Sequence, residues 1–290
     1  MAVVLLATCE ELPAGDEDGD LLVGALAGRG VQAHWAVWND PTVDWSAGLV
    51  VLRSTWDYTA HRTAFLAWVD ALPRVLNGPS VVHWNTDKVY LREVTAAGVP
   101  TVATAFARPG ERPVFAADVP EFVVKPSVGA GSRGAGRFTA DRLAAARTHV
   151  DSLHSAGRTA MVQPYLDAVD TAGETSLIYL DGRFSHAIRK EAMLPVGVAH
   201  PVQGHELFVA ERISAQAPRP DELAVGAAAL EVVRKRFGSD LLYARVDLLP
   251  TPDGPVLVEL ELTEPSLFLQ HGGAADDPAA AFAAAIAARV

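Results

Sequence analysis

The first eighty residues alternate short apolar runs with amphipathic stretches, and this alternation limits the possible folds more than any other feature of the chain. The runs AVVLLAT, VQAHWAVW and AGLVVL alternate with DLLVGALAGRG and HRTAFLAWVDAL, and Gly30 supplies a helix stop. Apolar strands that alternate with helices are typical of a parallel sheet covered on both faces. Ligands of such sheets bind beyond the carboxyl ends of the strands. We therefore predict an N-terminal α/β domain over residues 1–83, with a binding site near residues 53–58.

The rest of the chain predicts two further lobes of α+β type. The helical stretch NTDKVYLREVTAAGVP, the strand EFVVKPS, the loop VGAGSRGAG, a helix and the strand AMVQPYL predict a linker and a small lobe over 84–168. The segments SLIYLDGRFSHAIRKE and LLYARVDLLPTPDGPVLVELEL predict two hairpins that turn at Asp-Gly pairs, in a C-terminal lobe over 169–290. The Pro- and Gly-rich segment 191–212 is too long for an ordinary connection, so we predict a lid or a disordered segment there.

Composition narrows the function classes. The net charge of -11 and the absence of a basic run argue against a nucleic-acid partner. No stretch reaches the roughly 18 consecutive apolar residues of a membrane span, and the first residues lack the features of a signal peptide. The single cysteine, Cys9, rules out an internal disulfide framework. We predict a soluble cytoplasmic protein without membrane partners, and a homo-oligomer stays open.

Three acidic residues of the last hairpin form a candidate metal site. Glu259 and Glu261 are two residues apart on one strand and therefore project from the same face, and hairpin pairing can place Asp247 opposite them. A solvated sheet face is the alternative explanation. Apolar residues flank all three carboxylates, however, which favours a cleft. Because three such charges repel one another, a hard divalent cation with oxygen ligands is the natural neutraliser.

The glycine-rich loop between residues 126 and 136 is a candidate phosphate site. Gly129, Gly131 and Gly134 match GxGxxG, but no helix follows directly as a dinucleotide fingerprint requires. No GxxxxGK[ST] sequence occurs, which excludes a P-loop. We predict a mobile loop whose backbone N–H groups cover phosphates. The further donors are Lys125, Ser127 and Ser132. Only four of the 24 cationic residues are lysines, so each lysine is informative.

These motifs, in this order, resemble the ATP-grasp superfamily over nearly the whole chain. The resemblance implies a ligase that uses ATP and Mg²⁺, with an ATP-grasp fold behind an N-terminal parallel-sheet domain. It implies that the phosphates bind Lys88 and Lys125, the adenine binds Gln163, Pro164, Tyr165 and Leu166, and the ribose binds Asp170. It implies that two magnesium ions bind Asp247, Glu259 and Glu261. Many relatives have Asn at the position of Glu261, and a carboxylate there still coordinates magnesium.

Three basic residues on the hairpin strands are candidate catalytic groups. Arg245 lies two residues from Asp247 and shares its face, so it could stabilise a transferring phosphoryl group. Arg189 and Lys190 fit this role and an ordinary cationic strand face equally well. His186 and His205 are candidates for the general base, although a lone histidine is more often structural.

The sequence RSTWDY gives the best indication of the acid that is activated. Arg53 could pair with a carboxylate, Asp57 with an ammonium group, and Trp56 could form a wall; the alternative is a strand-end Trp that closes the domain core. The full candidate set is Arg53, Ser54, Thr55, Trp56 and Asp57.

RSTWDY and VELELTEPSLF together resemble the ATP-grasp branch that contains cycloserine synthetase. That likeness implies a small amino-acid-like substrate, O-ureido-D-serine, which is closed to D-cycloserine with release of ADP, phosphate, CO₂ and NH₃. An intermolecular carboxylate–amine ligase of the glutathione-synthetase or RimK-like type is the competing enzyme. A non-catalytic ATP-binding sensor is a third alternative.

Overall fold

The computed structural model describes residues 2–192, 194, 212–238, 241–272 and 277–290. The predicted lid over 191–212 therefore lies almost entirely outside the described residues, as does His205. Strands in the described part are β1 (Ala2–Thr8), β2 (Val31–Val37), β3 (Leu49–Ser54), β4 (Ala105–Ala107), β5 (Glu121–Pro126), β6 (Gly136–Thr139), β7 (Ala160–Pro164), β8 (Glu174–Leu180), β9 (Arg183–Lys190), β10 (Ile213–Gln216), β11 (Tyr243–Leu249) and β12 (Val256–Glu261). The α-helices there are α1 (Gly19–Ala27), α2 (Arg62–Ala71), α3 (Pro79–Asn85), α4 (Leu91–Ala96), α5 (Leu143–Ser155), α6 (Val169–Ala172), α7 (Pro220–Phe237) and α8 (Pro278–Ala287).

The N-terminal sheet is parallel, with the order β2-β1-β3, as the sequence predicts. All six residues of β3 are buried, so both faces of this strand are covered. Strand alternation sends Val4 and Leu6 into a core with residues of α1 and α8, and sends Leu5 into a core with residues of α2. The last helix of the chain thus packs on the first domain, and the predicted domain limits remain a prediction.

The second sheet is antiparallel and carries the glycine-rich loop. Its order is β4-β7-β5-β6, and the loop joins β5 to β6. Helix α5 covers one face, where Val150 and Leu153 pack with Phe122 and Phe138. The loop therefore starts from a rigid strand pair at the edge of a covered sheet.

The third sheet is also antiparallel, with the order β10-β9-β8-β11-β12. Both predicted hairpins are confirmed, since β8 pairs with β9 and β11 pairs with β12. Asp181 and Gly182 have φ angles of 51° and 70°, the left-handed pair that a type I′ turn needs. Helix α7 packs closely on this sheet, because a Cβ on Gly226 would lie 2.4 Å from the Tyr179 hydroxyl oxygen.

The helix predicted within NTDKVYLREVTAAGVP is shorter than expected. A 3₁₀ turn over Lys88–Tyr90 precedes α4, and the Asp87 side chain accepts a hydrogen bond from the Val89 N–H. The Lys88 N–H donates to the Ser127 carbonyl oxygen at 2.8 Å, a tertiary bond that an uninterrupted helix would not leave available. No helix in the described ranges is both long enough and apolar enough to cross a membrane.

Replacing Asn77 by Ala is expected to lower the free energy of unfolding by about 3 kcal/mol. Its side-chain amide donates to the Tyr243 and Leu262 carbonyl oxygens, and its oxygen accepts from the Leu242 N–H. Asn77 is buried and has a φ of 54°, a region that Asn tolerates better than Ala. Urea unfolding followed by circular dichroism measures the loss. The exposed Asn39→Ala is the control, and equal stability of the two variants would contradict the prediction.

Candidate active site

Two adjoining cavities meet where the three parts of the fold come together. The large cavity has a volume of about 520 Å³ and lies between the N-terminal domain, the glycine-rich loop and the end of β12. The small cavity has a volume of about 190 Å³ and lies between the second and third sheets. Both cavities are lined by Lys88, Gly129, Ala130, Gly131, Arg245, Glu259 and Glu261. A group bound at this shared wall could contact ligands in both cavities.

The acidic residues of the last hairpin come together beside the shared wall, where Glu259 and Glu261 line both cavities and Asp247 lines the small one. Asp247 is the direct cross-strand partner of Glu259, and Arg245 is the partner of Glu261. Asp247 and Arg245 are buried. The side chains of Glu259 and Glu261 remain 23% and 27% exposed, which leaves them accessible from the cavities. The hairpin register therefore produces the carboxylate grouping that the sequence predicts.

Each of these carboxylates contacts a cation of the chain. Lys88 Nζ lies 2.9 Å from Glu259 Oε1, and Arg245 Nη2 contacts Glu261. Arg245 also lies 2.9 Å from Asp247, through Nε to Oδ1 and through Nη2 to Oδ2. Lys190 Nζ lies 3.4 Å from Asp247 and 3.0 Å from Glu174, a half-buried carboxyl group that the sequence analysis missed. No group of His, Cys, Asp or Glu side chains within the described ranges is already arranged as a metal site.

Burial and neighbouring charges shift the pKa values of this cluster in different directions. Burial, with Glu259 and Asp247 nearby, raises the pKa of Glu261 to about 7 despite Arg245. Burial also opposes ionisation of Asp247, but Arg245 and Lys190 outweigh it and hold the pKa of Asp247 below its ordinary value. Burial lowers the pKa of Lys125. Burial and the neighbouring carboxylates thus disfavour ionisation of Glu261, and an added divalent cation would favour it.

Some of the predicted residues of the glycine-rich loop line the cavities, and others are not among the described wall residues. Gly129 and Gly131 line both cavities, and Ser132 and Lys125 line the small one. The Gly129 carbonyl oxygen accepts from Lys88 Nζ at 2.6 Å. Ser127 is buried and is not among the residues described at either cavity wall.

Gly134, the last glycine of the predicted motif, is not among those wall residues either. Its carbonyl oxygen pairs with His149 Nε2 at 2.8 Å, which anchors the end of the loop on α5. Its φ is 71°, and Ser132 adopts a similar left-handed angle of 59°. Glycine adopts such an angle without steric cost, whereas a non-glycine residue such as Ser132 adopts it uncommonly.

The predicted adenine hinge lines the small cavity. Its four residues Gln163, Pro164, Tyr165 and Leu166 all contribute to the wall. The guanidinium of Arg137 lies 3.5 Å from the Tyr165 ring centroid, and Asp170 accepts hydrogen bonds from Tyr165 and Arg137. Asp170 is not among the described wall residues of the small cavity, whereas Glu174 is.

Of the five candidates Arg53, Ser54, Thr55, Trp56 and Asp57, Trp56 alone is among the described wall residues of the large cavity, and Tyr58 of the same RSTWDY sequence also lines it. Arg53 is fully buried beneath that wall and donates to Asp16 at 3.3 Å and to the Pro265 carbonyl oxygen at 3.1 Å. The Ser54 hydroxyl pairs with Thr8, and Asp57 accepts from Trp38 Nε1. Thr55 is buried as well. Contrary to the expectation, the structure does not place Arg53 where it could pair with a substrate carboxylate, because its strand is covered on both faces.

Of the four other catalytic candidates in the described part of the chain, two line a cavity and two do not. Arg245 lines both cavities and Lys190 lines the small one. Arg189 donates to the Thr171 carbonyl oxygen and is not among the described wall residues. His186 is buried, with Nε2 2.8 Å from the Leu267 carbonyl oxygen, so its contacts are structural.

Several wall residues of the large cavity were missed by the sequence analysis. They are Asp16, Glu17, Asp18, Tyr58, Glu264, Gln270 and His271. The acidic run GDEDGD that contains Asp16 and Asp18 follows the carboxyl end of β1, and the strand-end rule could have identified it. Glu264 lies within the quoted sequence VELELTEPSLF but was not singled out, and its pKa is raised to about 8 by burial and by nearby carboxylates.

Comparison with known proteins agrees with this architecture. A family described as "D-cycloserine synthetase DcsG, N-terminal domain" matches residues 4–77. The "Cycloserine biosynthesis protein DcsG" of Streptomyces lavendulae is 37% identical over 307 residues, which cover 100% of this chain and 99% of the relative. The crystal structure of D-cycloserine synthetase DcsG superposes with a TM-score of 0.88 at 34% identity, covering 99% of each chain.

A more distant structure shows the same fold. ATP-grasp ligase PsnB, complexed with a phosphomimetic variant of its minimal precursor, Mg and ADP, has a TM-score of 0.62 at 20% identity, covering 100% of this chain and 99% of that one. The α/β architecture of three sheets is thus that of these two structures. The chain belongs to the ATP-grasp superfamily, in the family of the cycloserine biosynthesis protein DcsG.

Proposed function

We propose that this protein is an ATP-dependent ligase that phosphorylates the carboxylate of a small amino acid and then closes a ring on it. The observation that carries the proposal is the shared wall of the two cavities, where Lys88, Arg245, Glu259 and Glu261 contact both spaces. Phosphoryl transfer between two bound ligands needs such a junction, because it depends on positioning and on neutralisation of charge. We assign the nucleotide to the small cavity and the acid to the large one.

The nucleotide assignment rests on the composition of the small cavity. Its hinge residues offer backbone groups and apolar surface to a base, and Lys125 and Lys88 offer cationic groups to phosphates. The glycine-rich loop supplies backbone N–H groups beside them. Asp170 stays our candidate for the ribose if it releases Tyr165, and Glu174 is the alternative because it already lines the cavity.

The donor set at the shared wall fits Mg²⁺. Carboxylate oxygens are the ligands this ion prefers, and Asp247, Glu259 and Glu261 are the residues that would hold it. Bound there, the ion would neutralise phosphate charge. Burial, with the neighbouring carboxylates, raises the pKa of Glu261, and a bound divalent cation would favour its charged form. Arg245 contacts two of these carboxylates and is buried, so it also keeps them in place.

The chain's own residues account for the orientation of the acid. Arg245 lies at the junction of the cavities and can stabilise the negative charge of the carboxylate as it becomes an acyl phosphate. Asp16, Glu17 and Asp18 line the large cavity and suit a cationic amino group. Trp56 and Tyr58 add aromatic surface to that wall, which helps to keep water from the acyl phosphate.

The kinship with the DcsG family supports O-ureido-D-serine as the acid. Its carboxylate oxygen would attack the γ-phosphorus of ATP, which forms the acyl phosphate and releases ADP. The aminooxy nitrogen of the same molecule would then attack the acyl carbon, and phosphate would leave. Hydrolytic loss of the carbamoyl group as CO₂ and NH₃ would complete D-cycloserine.

Incubation with Mg·ATP and O-ureido-D-serine alone is expected to give equal amounts of ADP, phosphate and D-cycloserine. Coupled ADP assay and chromatography of the product measure the three yields, and L-serine provides the control acid. Phosphate release that requires a second amine would contradict cyclisation and favour the RimK-like alternative. Nucleotide binding without ADP formation from any amino acid would favour the sensor.

A further inference from the structure

The glycine-rich loop, here residues 127–135, is bound to the N-terminal domain by Arg133, a loop residue that also lines the small cavity. Arg133 Nη2 donates to the Trp56 carbonyl oxygen at 2.8 Å and to Thr59 Oγ1 at 2.7 Å. Thr59 is buried, and both acceptors belong to the 3₁₀ turn Trp56–Thr59. The two partners are 77 and 74 residues away in sequence, so these bonds depend on the tertiary fold.

A second arginine supports the same contact. Arg158 Nη1 donates to the Val128 carbonyl oxygen, and its Nη2 donates to the Thr59 carbonyl oxygen, both at 3.3 Å. Thr59 therefore receives bonds from two arginines, one on the loop and one just before β7. The loop is thus connected to one turn of the N-terminal domain near its start, through Arg158, and near its end, through Arg133.

The turn that receives these bonds also forms part of the large cavity. Trp56 lines that cavity, and its indole Nε1 donates to the Glu264 carbonyl oxygen at 2.9 Å. Glu264 follows β12 and lines the same cavity. Trp56 thus connects the loop, through its carbonyl oxygen, with the wall around the proposed acid site.

We propose that Arg133 is a positioning residue that couples closure of the glycine-rich loop over the nucleotide to the placement of the Trp56–Thr59 turn beside the acid. Gly129, Ala130 and Gly131 line both cavities, so the loop's position affects both spaces. Displacement of the loop from the N-terminal domain breaks the Arg133 bonds and removes two of the contacts that hold the turn. Each ligand then favours the arrangement that the other needs, which is positive coupling. The identity of the acid rests on the proposed function, whereas the coupling rests on these contacts.

Hydrogen exchange on the full chain with saturating Mg·AMPPNP tests the coupling without any acid. In the wild-type protein, the nucleotide is expected to slow amide exchange in residues 127–135 and in residues 56–60. In Arg133→Met, which keeps the length of the side chain, the slowing at residues 56–60 is expected to disappear. Arg147→Met replaces an exposed arginine of α5 and is expected to behave as the wild type. Equal nucleotide-dependent slowing at residues 56–60 in Arg133→Met and wild type, or none in either, would overturn the proposal.

Binding constants provide a second readout. O-ureido-D-serine is expected to raise the affinity of the wild-type protein for AMPPNP. In Arg133→Met this increase is expected to be about tenfold smaller, because the substitution removes two charge-assisted hydrogen bonds. Thr59→Val removes one of the two acceptors and is expected to have a smaller effect that does not add to that of Arg133→Met. Full additivity of the two substitutions would overturn the proposal. Failure of wild-type protein to turn over O-ureido-D-serine would instead refute the substrate assignment, and the exchange experiment would still decide the coupling.

Discussion

Glu259→Gln is expected to reduce the rate of ADP formation at least about a hundredfold, with little change in the folded structure. Glu259 lines both cavities, faces Asp247 across the hairpin and lies 2.9 Å from Lys88 Nζ. The amide keeps the shape of the side chain but removes the negative charge that would hold Mg²⁺. It also weakens the placement of Lys88, whose pKa Glu259 raises against the effect of burial. A coupled ADP assay over a range of Mg²⁺ concentrations measures the loss.

The Mg²⁺ dependence separates a lost metal ligand from general damage. If Glu259 holds the ion, the variant needs a higher Mg²⁺ concentration for half of its remaining activity, while its unfolding midpoint stays near that of the wild type. Glu231→Gln makes the same chemical change on the exposed face of α7 and is expected to leave both quantities unaltered. Activity of Glu259→Gln within about threefold of wild type would contradict the metal assignment.

Arg245→Met is expected to lower both activity and stability. Arg245 is buried, forks onto Asp247, contacts Glu261 and donates to the Ser266 carbonyl oxygen. Removing one partner of a buried ion pair leaves a charge without compensation, which costs about 3–5 kcal/mol. Because Arg245 also lies at the junction of the cavities, we expect at least a roughly hundredfold loss of ADP formation. Urea unfolding and the ADP assay measure the two effects.

The matched variant Arg245→Lys separates charge from geometry. Lysine keeps the positive charge but cannot reach Asp247 and Glu261 with the planar fork of a guanidinium. We expect it to recover much of the stability and little of the activity. Arg183→Met, at an exposed position of β9, serves as the control for loss of an arginine from this sheet. Wild-type stability in Arg245→Met would show that Asp247 and Glu261 do not depend on this cation.

The three carboxylates of the candidate metal site could be predicted because their relative placement depends on the residues of one hairpin. Strand alternation places Glu259 and Glu261 on one face, and the Asp-Gly turn of the same hairpin brings β11 beside β12. The parallel sheet could be predicted for a similar reason, since its apolar periodicity lies within single segments. The helix after residue 85 was predicted at excessive length, because the bond between the Lys88 N–H and Ser127 joins parts of the chain that no local pattern relates.

Local sequence patterns were enough to predict the types and order of the elements, the three carboxylates of the hairpin, and the ATP-grasp kinship carried by the order of the motifs. They could not show which polar side chains face a cavity, because that depends on how distant segments pack. Arg53 looked like a substrate ligand but is buried against Asp16, whereas Trp56, three residues later, lines the large cavity. Arg133 was not singled out and yet connects the glycine-rich loop to Thr59. Periodicity fixes the face on which a side chain lies, but its partner across that face comes from distant segments whose packing brings them together.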